Sequence, residues 1–233
     1  MEQDDFLIDD MPSENVLVVS SVVLDSIKDR KNFVNTVLAL KLALNDQQQV
    51  GAVLKVNSAG RGSVDKYATI KSLEKIKENL DINFPLTLFH GELGNKELAS
   101  LYKSNQISTL FTLTRGEGFG LPILEAAAAG LPIIASDWSA HVEFLDDKFM
   151  KVEGKQVPIP EERKDEQIWT GGDWFEPDVI KASSVIKRFF NDEKFRSTAM
   201  DNASALQKFV ENRYSLSNII KLYDEVIKGV LSL

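Results

Sequence analysis

Residues 117–125 read Glu-Gly-Phe-Gly-Leu-Pro-Ile-Leu-Glu (EGFGLPILE); Thr114-Arg115-Gly116 precede them, and Ala126 to Ala129 and Gly130-Leu131-Pro132-Ile133-Ile134 follow. The stretch has the layout of a strand turning sharply into a helix. Ser108 to Thr114 reads as a strand, and the glycines at 116, 118 and 120 let the backbone turn and let a ligand approach it closely. Gly120 to Ala129 reads as a helix. Pro122 fits its first turn, where the missing N–H would be unpaired in any case. Pro132 to Ser136 reads as the next strand, completing a strand-helix-strand unit.

The same alternation runs outward in both directions. Val16 to Val23 is a β-branched run of strand length, and Phe33 to Leu44 carries Phe33, Val37, Leu40 and Leu44 at helical spacing. Val50 to Val56 reads as a strand and is followed by Gly/Ser punctuation. A helix comes next, with Ile70, Leu73, Ile76 and Leu80 on one stripe and Lys71, Lys75 and Lys77 pointing away. Leu86 to His90 is a further strand and Lys96 to Tyr102 a short helix. This pattern predicts an α/β fold, a Rossmann-like parallel sheet with helices on both faces.

Beyond Phe149 the pattern loosens. Residues 157–178 (VPIPEERKDEQIWTGGDWFEPD) read as an excursion at the sheet edge. Helices follow near 178–190 and 192–211, and a last one from about Ser217 has Ile219, Leu222, Tyr223, Val226 and Val230 on one face. The domain reading is an acidic lead-in over 1–14, a ligand-binding α/β domain over 15–210, and a C-terminal helix over 211–233. The sequence shows no internal repeat and no low-complexity tract.

In open parallel sheets ligands bind outside the carboxyl ends of the strands, where helix N-termini present unpaired N–H groups and a partial positive charge. The turn at 114–120 occupies such a place and makes a good diphosphate seat. Glu117 lies on the loop and Glu125 inside the helix, roughly 7 Å along its axis at 1.5 Å per residue. Two carboxylates thus bracket a phosphate site. Carboxylates are poor partners for phosphate and good acceptors for sugar hydroxyls, so the arrangement suits ribose, diphosphate and hexose in a row, the shape of a nucleotide-sugar.

The string EGFGLPILEAAAAGLPIIASDWSAHVEFL (117–145) resembles the Glu-x7-Glu signature of the GT-B glycosyltransferases, in particular glycosyltransferase family 4. The resemblance implies that this chain is one half of a GT-B fold, the half that binds the donor sugar-nucleotide. It implies that Glu117 contacts the donor sugar and is the catalytic residue. It also implies that the backbone of Gly118, Phe119, Gly120 and Leu121 approaches sugar and phosphate, and that Glu125 holds the ribose. Asp29-Arg30-Lys31-Asn32 is similar to the Arg-Lys-Asn form of the family's basic motif, which makes Lys31, with Arg30, the expected ligand of the donor diphosphate. Ser20-Ser21-Val22 stands where many members have a Gly-Arg pair, so the basic contact rests on Arg30 and Lys31. Lys55, near the end of the second strand, is a further candidate for the phosphates, and His90, ending the third, falls where members line the base pocket. Arg115 either neutralises the same phosphates or pairs with a carboxylate. Trp138-Ser139-Ala140-His141 and the Trp-Phe-Glu-Pro-Asp of 174–178 are similar to segments found in some members, the latter read as packing the excursion.

Composition narrows the alternatives. With 233 residues and 43% hydrophobic content the chain can bury a full core. A formal charge of -8 argues against nucleic acid as a partner. There is no cysteine and there are only two histidines, so thiolate and histidine metal clusters are not expected. No Asp-x-Asp motif occurs, so no cofactor and no metal ion is expected, with helix dipole and basic side chains in place of a cation. The acidic N-terminus (MEQDDFLIDD) and the lack of an apolar run of about 18 residues predict a soluble, cytoplasmic chain.

The family resemblance further implies partners: a nucleotide-sugar donor, an N-terminal acceptor-binding domain in the same longer chain or a separate subunit, and peripheral association of the full enzyme with a membrane. In the family the last helix crosses back toward that N-terminal domain. The expected activity is retaining, metal-independent transfer of a hexose from a GDP- or UDP-sugar to a glycan or other hydroxyl acceptor, with this half weakly active or inactive by itself. Two alternatives stand beside it: a non-catalytic module derived from the fold, which binds a nucleotide-sugar or a protein, and a sugar-nucleotide epimerase.

Overall fold

The computed structural model describes residues 11–20, 29–45, 47, 49–56, 63–159 and 172–231. The lead-in up to residue 10, the continuation of the first strand over 21–23, the punctuation at 57–62 and the middle of the excursion (160–171) lie outside the described residues. Six parallel strands form the main sheet: β1 (Glu14–Ser20), β2 (Val50–Val56), β3 (Leu86–His90), β4 (Ile107–Thr112), β5 (Ile133–Ser136) and β6 (Met150–Val152). Their spatial order is β3-β2-β1-β4-β5-β6. Strand order reverses between β1 and β4, so the loops leaving those two strands face each other across the switch point where such sheets bind ligands.

Side-chain alternation within the strands explains why both faces are covered. Val16 and Val18 of β1 join one core cluster with Ala52, Leu54 and Val56 of β2, whereas Leu17 and Val53 join the other. A strand buried on both sides shows a continuous apolar run, and all seven residues of β2 are buried. Helices α1 (Phe33–Leu44), α2 (Ser63–Asn79) and α6 (Val179–Asn191) contribute to the first cluster. Helices α3 (Asn95–Lys103), α4 (Leu121–Ala128) and α5 (His141–Leu145) contribute to the second. The stripe read on α1 is the buried face: Phe33, Val37, Leu40 and Leu44 are each at most 1% exposed. Each such side chain stabilises the fold by about 1.5–3 kcal/mol relative to exposure.

Helix α7 (Glu193–Arg213) touches both clusters, through Ala199 on one side and Leu206 and Val210 on the other. The last helix, α8 (Leu216–Leu231), leaves Ile220, Leu222, Tyr223, Val226, Ile227 and Val230 exposed. The excursion carries a separate two-stranded antiparallel sheet of β7 (Gly154–Pro158) and β8 (Asp173–Pro177). No described helix is long and apolar enough to cross a membrane.

Candidate functional site

Four loop features converge at the carboxyl ends of β1 and β4. The first is the turn into α1. Asn32 adopts a left-handed conformation (φ 55), which asparagine tolerates better than most residues. Its buried side chain donates to the Leu113 carbonyl at 3.0 Å and accepts from Asn35 at 2.9 Å. Asp29 accepts from the Phe33 N–H at 3.3 Å, and burial pushes its carboxyl above the usual range despite the backbone donors around it. The asparagine of the Arg-Lys-Asn motif thus fastens its loop to the segment leaving β4, and the two cations project from it.

The second feature is where those cations go. Lys31 Nζ lies 2.6 Å from Glu117 Oε1, and Arg30 Nη1 lies 3.2 Å from Glu117 Oε2. Arg30 also donates to the Gly116 carbonyl at 2.5 Å. Thr114 Oγ1 donates to Glu117 Oε1 at 2.9 Å. Glu117's own N–H donates to Ser139 Oγ at 2.8 Å, and Ser139 holds a positive φ of 88. Burial favours the neutral acid, but Lys31 by hydrogen bond and charge, Arg30 by charge and Thr114 by hydrogen bond outweigh it, so the Glu117 carboxyl is held below the usual range. The Glu117 side chain is only 11% exposed.

Third is the N-terminus of α4. Gly120 has φ 89, a conformation that favours glycine, and a Cβ there would lie 3.3 Å from His141 Cβ, a tight contact. A Cβ on Gly118 would meet nothing within 4 Å, which leaves that backbone open to close approach from solvent. Pro122 sits in the first turn of α4. Phe119 packs its ring against Phe144 and Tyr214, with centroids 5.6 and 6.0 Å away, and so anchors the turn to α5 and the end of α7.

The fourth feature is a cleft of ≈ 280 Å³ beside this turn. Lys31, Lys55, Glu92 and Glu125 supply its charged lining, with Leu93, Leu98 and Pro122 as apolar walls. Lys55 donates to the Gly91 carbonyl; burial pulls its pKa down, against the opposing charge of Glu92. Glu125 accepts from the Tyr102 hydroxyl at 3.2 Å. Burial raises its carboxyl, and that hydrogen bond partly offsets the rise.

The structure therefore brings together Arg30, Lys31, Glu117 and the 118–121 turn, with Lys55 and Glu125 across the adjoining cleft. His90 stands apart from the cleft lining, its Nε2 3.0 Å from Asp65 Oδ2 in the first turn of α2. The choice left open for Arg115 resolves to the carboxylate: its Nε and Nη2 meet Glu176 at 2.7 and 2.9 Å, and Nη1 donates to the Asp29 carbonyl at 2.5 Å. Phe175 N–H also donates to the Arg115 carbonyl at 3.1 Å. The β7–β8 hairpin is thereby wired through Arg115 to the loop that carries Arg30 and Lys31. His141 is fully buried, with Nε2 2.8 Å from the Ser136 carbonyl and its pKa lowered by burial. It packs beneath the turn. Tyr102 is a member of the site that sequence reading did not single out, whereas Thr114, Ser139 and Glu176 lie in segments it quoted without giving those side chains a part in the site. Among the described residues no group of three or more His, Cys, Asp or Glu is arranged to hold a metal ion.

Comparison with known proteins gives a family match to glycosyl transferases group 1 over residues 14–166. No curated protein matches the sequence. Solved structures do match the fold. The C-terminal domain of the group 1 glycosyl transferase LpcC from Francisella tularensis is 18% identical with a TM-score of 0.60, the match covering 88% of this chain and 89% of that one. HepE from Anabaena, solved with UDP and glucose, is 15% identical with a TM-score of 0.60, over 94% of this chain and 48% of HepE. Sucrose-phosphate synthase from Thermosynechococcus elongatus is 18% identical with a TM-score of 0.63, over 97% and 47%. This chain spans about half the length of HepE and of the synthase.

Proposed function

The chain belongs to the glycosyl transferases group 1, and on that footing we propose that it is the donor-binding half of a retaining, metal-independent enzyme. That enzyme transfers a hexose from a GDP- or UDP-sugar to a glycan or other hydroxyl acceptor, as in polysaccharide biosynthesis in the cytoplasm. The observation that carries the reading is the contact of Lys31 and Arg30 with Glu117 at the N-terminus of α4. One carboxylate, two cations and an open helix N-terminus are the groups a sugar diphosphate requires, and they meet from segments 86 residues apart.

In the proposed complex the diphosphate sits on the N–H groups of 118–121, with Lys31 and Arg30 neutralising it. Those cations stabilise the charge that grows on the departing phosphate as the bond to the sugar loosens. Glu117, ionised, accepts from the sugar hydroxyls and steadies positive charge on the ring. Glu125 accepts from the ribose, Lys55 supports the phosphates, and His90, held by Asp65, borders the base. The acceptor binds to a second domain, so this half alone transfers slowly or not at all. HepE, solved with UDP and glucose, shares the fold and supports a nucleotide-sugar as the ligand class.

Calorimetric titration with UDP, GDP and their sugars tests the reading. Binding of one nucleoside diphosphate, weakened at least ten-fold in Lys31→Ala, is the expected result. Heat with none of them would remove the basis for a donor site.

A further inference from the structure

We propose that Tyr102 is a positioning residue for Glu125, its hydroxyl holding that carboxylate toward the hydroxyls of a ribose seated in the adjoining cleft. The assignment rests on the donor-site reading above. Helix α3 presents Leu98 to the cleft, and Tyr102, one turn later on the same face, is 3% exposed within the second core cluster. Its ring is therefore fixed by packing, and only the hydroxyl reaches out of that cluster, to Glu125 Oε2 at 3.2 Å.

A buried phenol requires a polar partner, and the partner here is a carboxylate exposed at a cleft rather than a backbone carbonyl of the core. An ionised carboxylate has about four acceptor positions. One is taken by Tyr102, which leaves both oxygens able to accept from a vicinal diol. A glutamate side chain loses rotamer freedom when a ligand orders it. A hydrogen bond already in place removes part of that cost before binding. Burial raises the Tyr102 phenol far above neutral pH, so it is always a donor toward Glu125, and its hydrogen bond favours the ionised form of that carboxylate.

The test measures affinity for UDP and GDP and for their 2′,3′-dideoxy forms with the unaltered chain, Tyr102→Phe, Glu125→Ala and the double variant. Tyr102→Phe keeps the ring and the fold, checked by an unchanged thermal midpoint. The expected result is a loss of about two- to ten-fold for the ribonucleotide, the ordering cost of one side chain restored to the binding step, with no loss for the dideoxy form. Added to Glu125→Ala, the change costs nothing further. Equal weakening of both nucleotides, or of neither, overturns the assignment and leaves Tyr102 a packing residue. If the unaltered chain binds no nucleotide, or binds both forms equally, the donor reading of Glu125 falls and this assignment falls with it.

Discussion

Replacing Glu117 by glutamine is expected to tighten the binding of a bare nucleoside diphosphate while weakening the preference for its sugar conjugate. Glu117 shares Lys31 and Arg30 with the proposed phosphate seat, so a bound diphosphate must lie near an ionised carboxylate. A phosphate oxygen on Lys31 would sit about 2.8 Å from Nζ. Nζ is itself 2.6 Å from Glu117, which places the two anions no more than about 5.4 Å apart by adding the two distances. Two unit charges at that separation repel by about 3 kcal/mol at an effective dielectric of about 20. Arg30 is 40% exposed and Lys31 19%, so solvent screening reduces this to about 1–2 kcal/mol, a roughly five- to thirty-fold tightening.

The glutamine carbonyl can still accept from Lys31 and Thr114, so the loop is retained. A sugar hydroxyl, however, loses a charged acceptor, and the ratio of sugar-diphosphate to diphosphate affinity should fall about ten-fold. Titration calorimetry at two salt concentrations reads both effects, and the tightening should shrink at the higher one. Unchanged or weaker diphosphate binding in Glu117→Gln refutes the shared-cation argument.

Three further outcomes follow from the same geometry. Glu117 titrates below its unfolded value of about 4.3, so the stability linked to its ionisation is present above that value and is lost as pH falls through the lower, folded one. Urea midpoints of the chain and of Glu117→Gln should therefore differ most above about pH 5 and converge at lower pH. Glu176→Ala leaves the Arg115 side chain, 5% exposed, without its carboxylate. The expected destabilisation is about 2–4 kcal/mol, read as a lower urea midpoint with an unchanged slope; a loss under about 0.5 kcal/mol would mark the pair as an ordinary surface contact. Gly120→Ala must hold alanine at φ 89 with Cβ 3.3 Å from His141, costing about 1–2 kcal/mol. Diphosphate affinity should fall with it as the turn shifts, and a variant with unchanged stability and affinity would contradict the role given to that glycine.

Much of the fold is legible in the sequence because the central strands β1 and β2 are buried on both faces and helices such as α1 on one. Val50–Val56 matches the expected strand end for end, and the α1 stripe of Phe33, Val37, Leu40 and Leu44 is the buried face. The elements that escape notice are those too short or too exposed to carry a period. Helix α5 has five residues and β6 three, and β7 is mostly exposed along its length. At the site, the Glu-x7-Glu spacing and the Arg-Lys-Asn string identify which residues to watch, and the adjacency of β1 and β4 brings them together. What stayed hidden are pairings set by tertiary structure. Arg115 meets Glu176 across 61 residues and Tyr102 meets Glu125 across 23, and neither spacing has a local period that would reveal it. The tight space at Gly120, absent at Gly118, depends on His141 packing below the turn.

Whether the α4 N-terminus and its two cations seat the diphosphate of a nucleotide-sugar is decided by a structure of the chain with bound UDP or GDP. Phosphate oxygens are expected within hydrogen-bond reach of Lys31 Nζ and the backbone N–H groups of 118–121, with the ribose against Glu125. A nucleotide bound elsewhere, such as the ≈ 620 Å³ groove between Phe149 and Arg188, would contradict that placement.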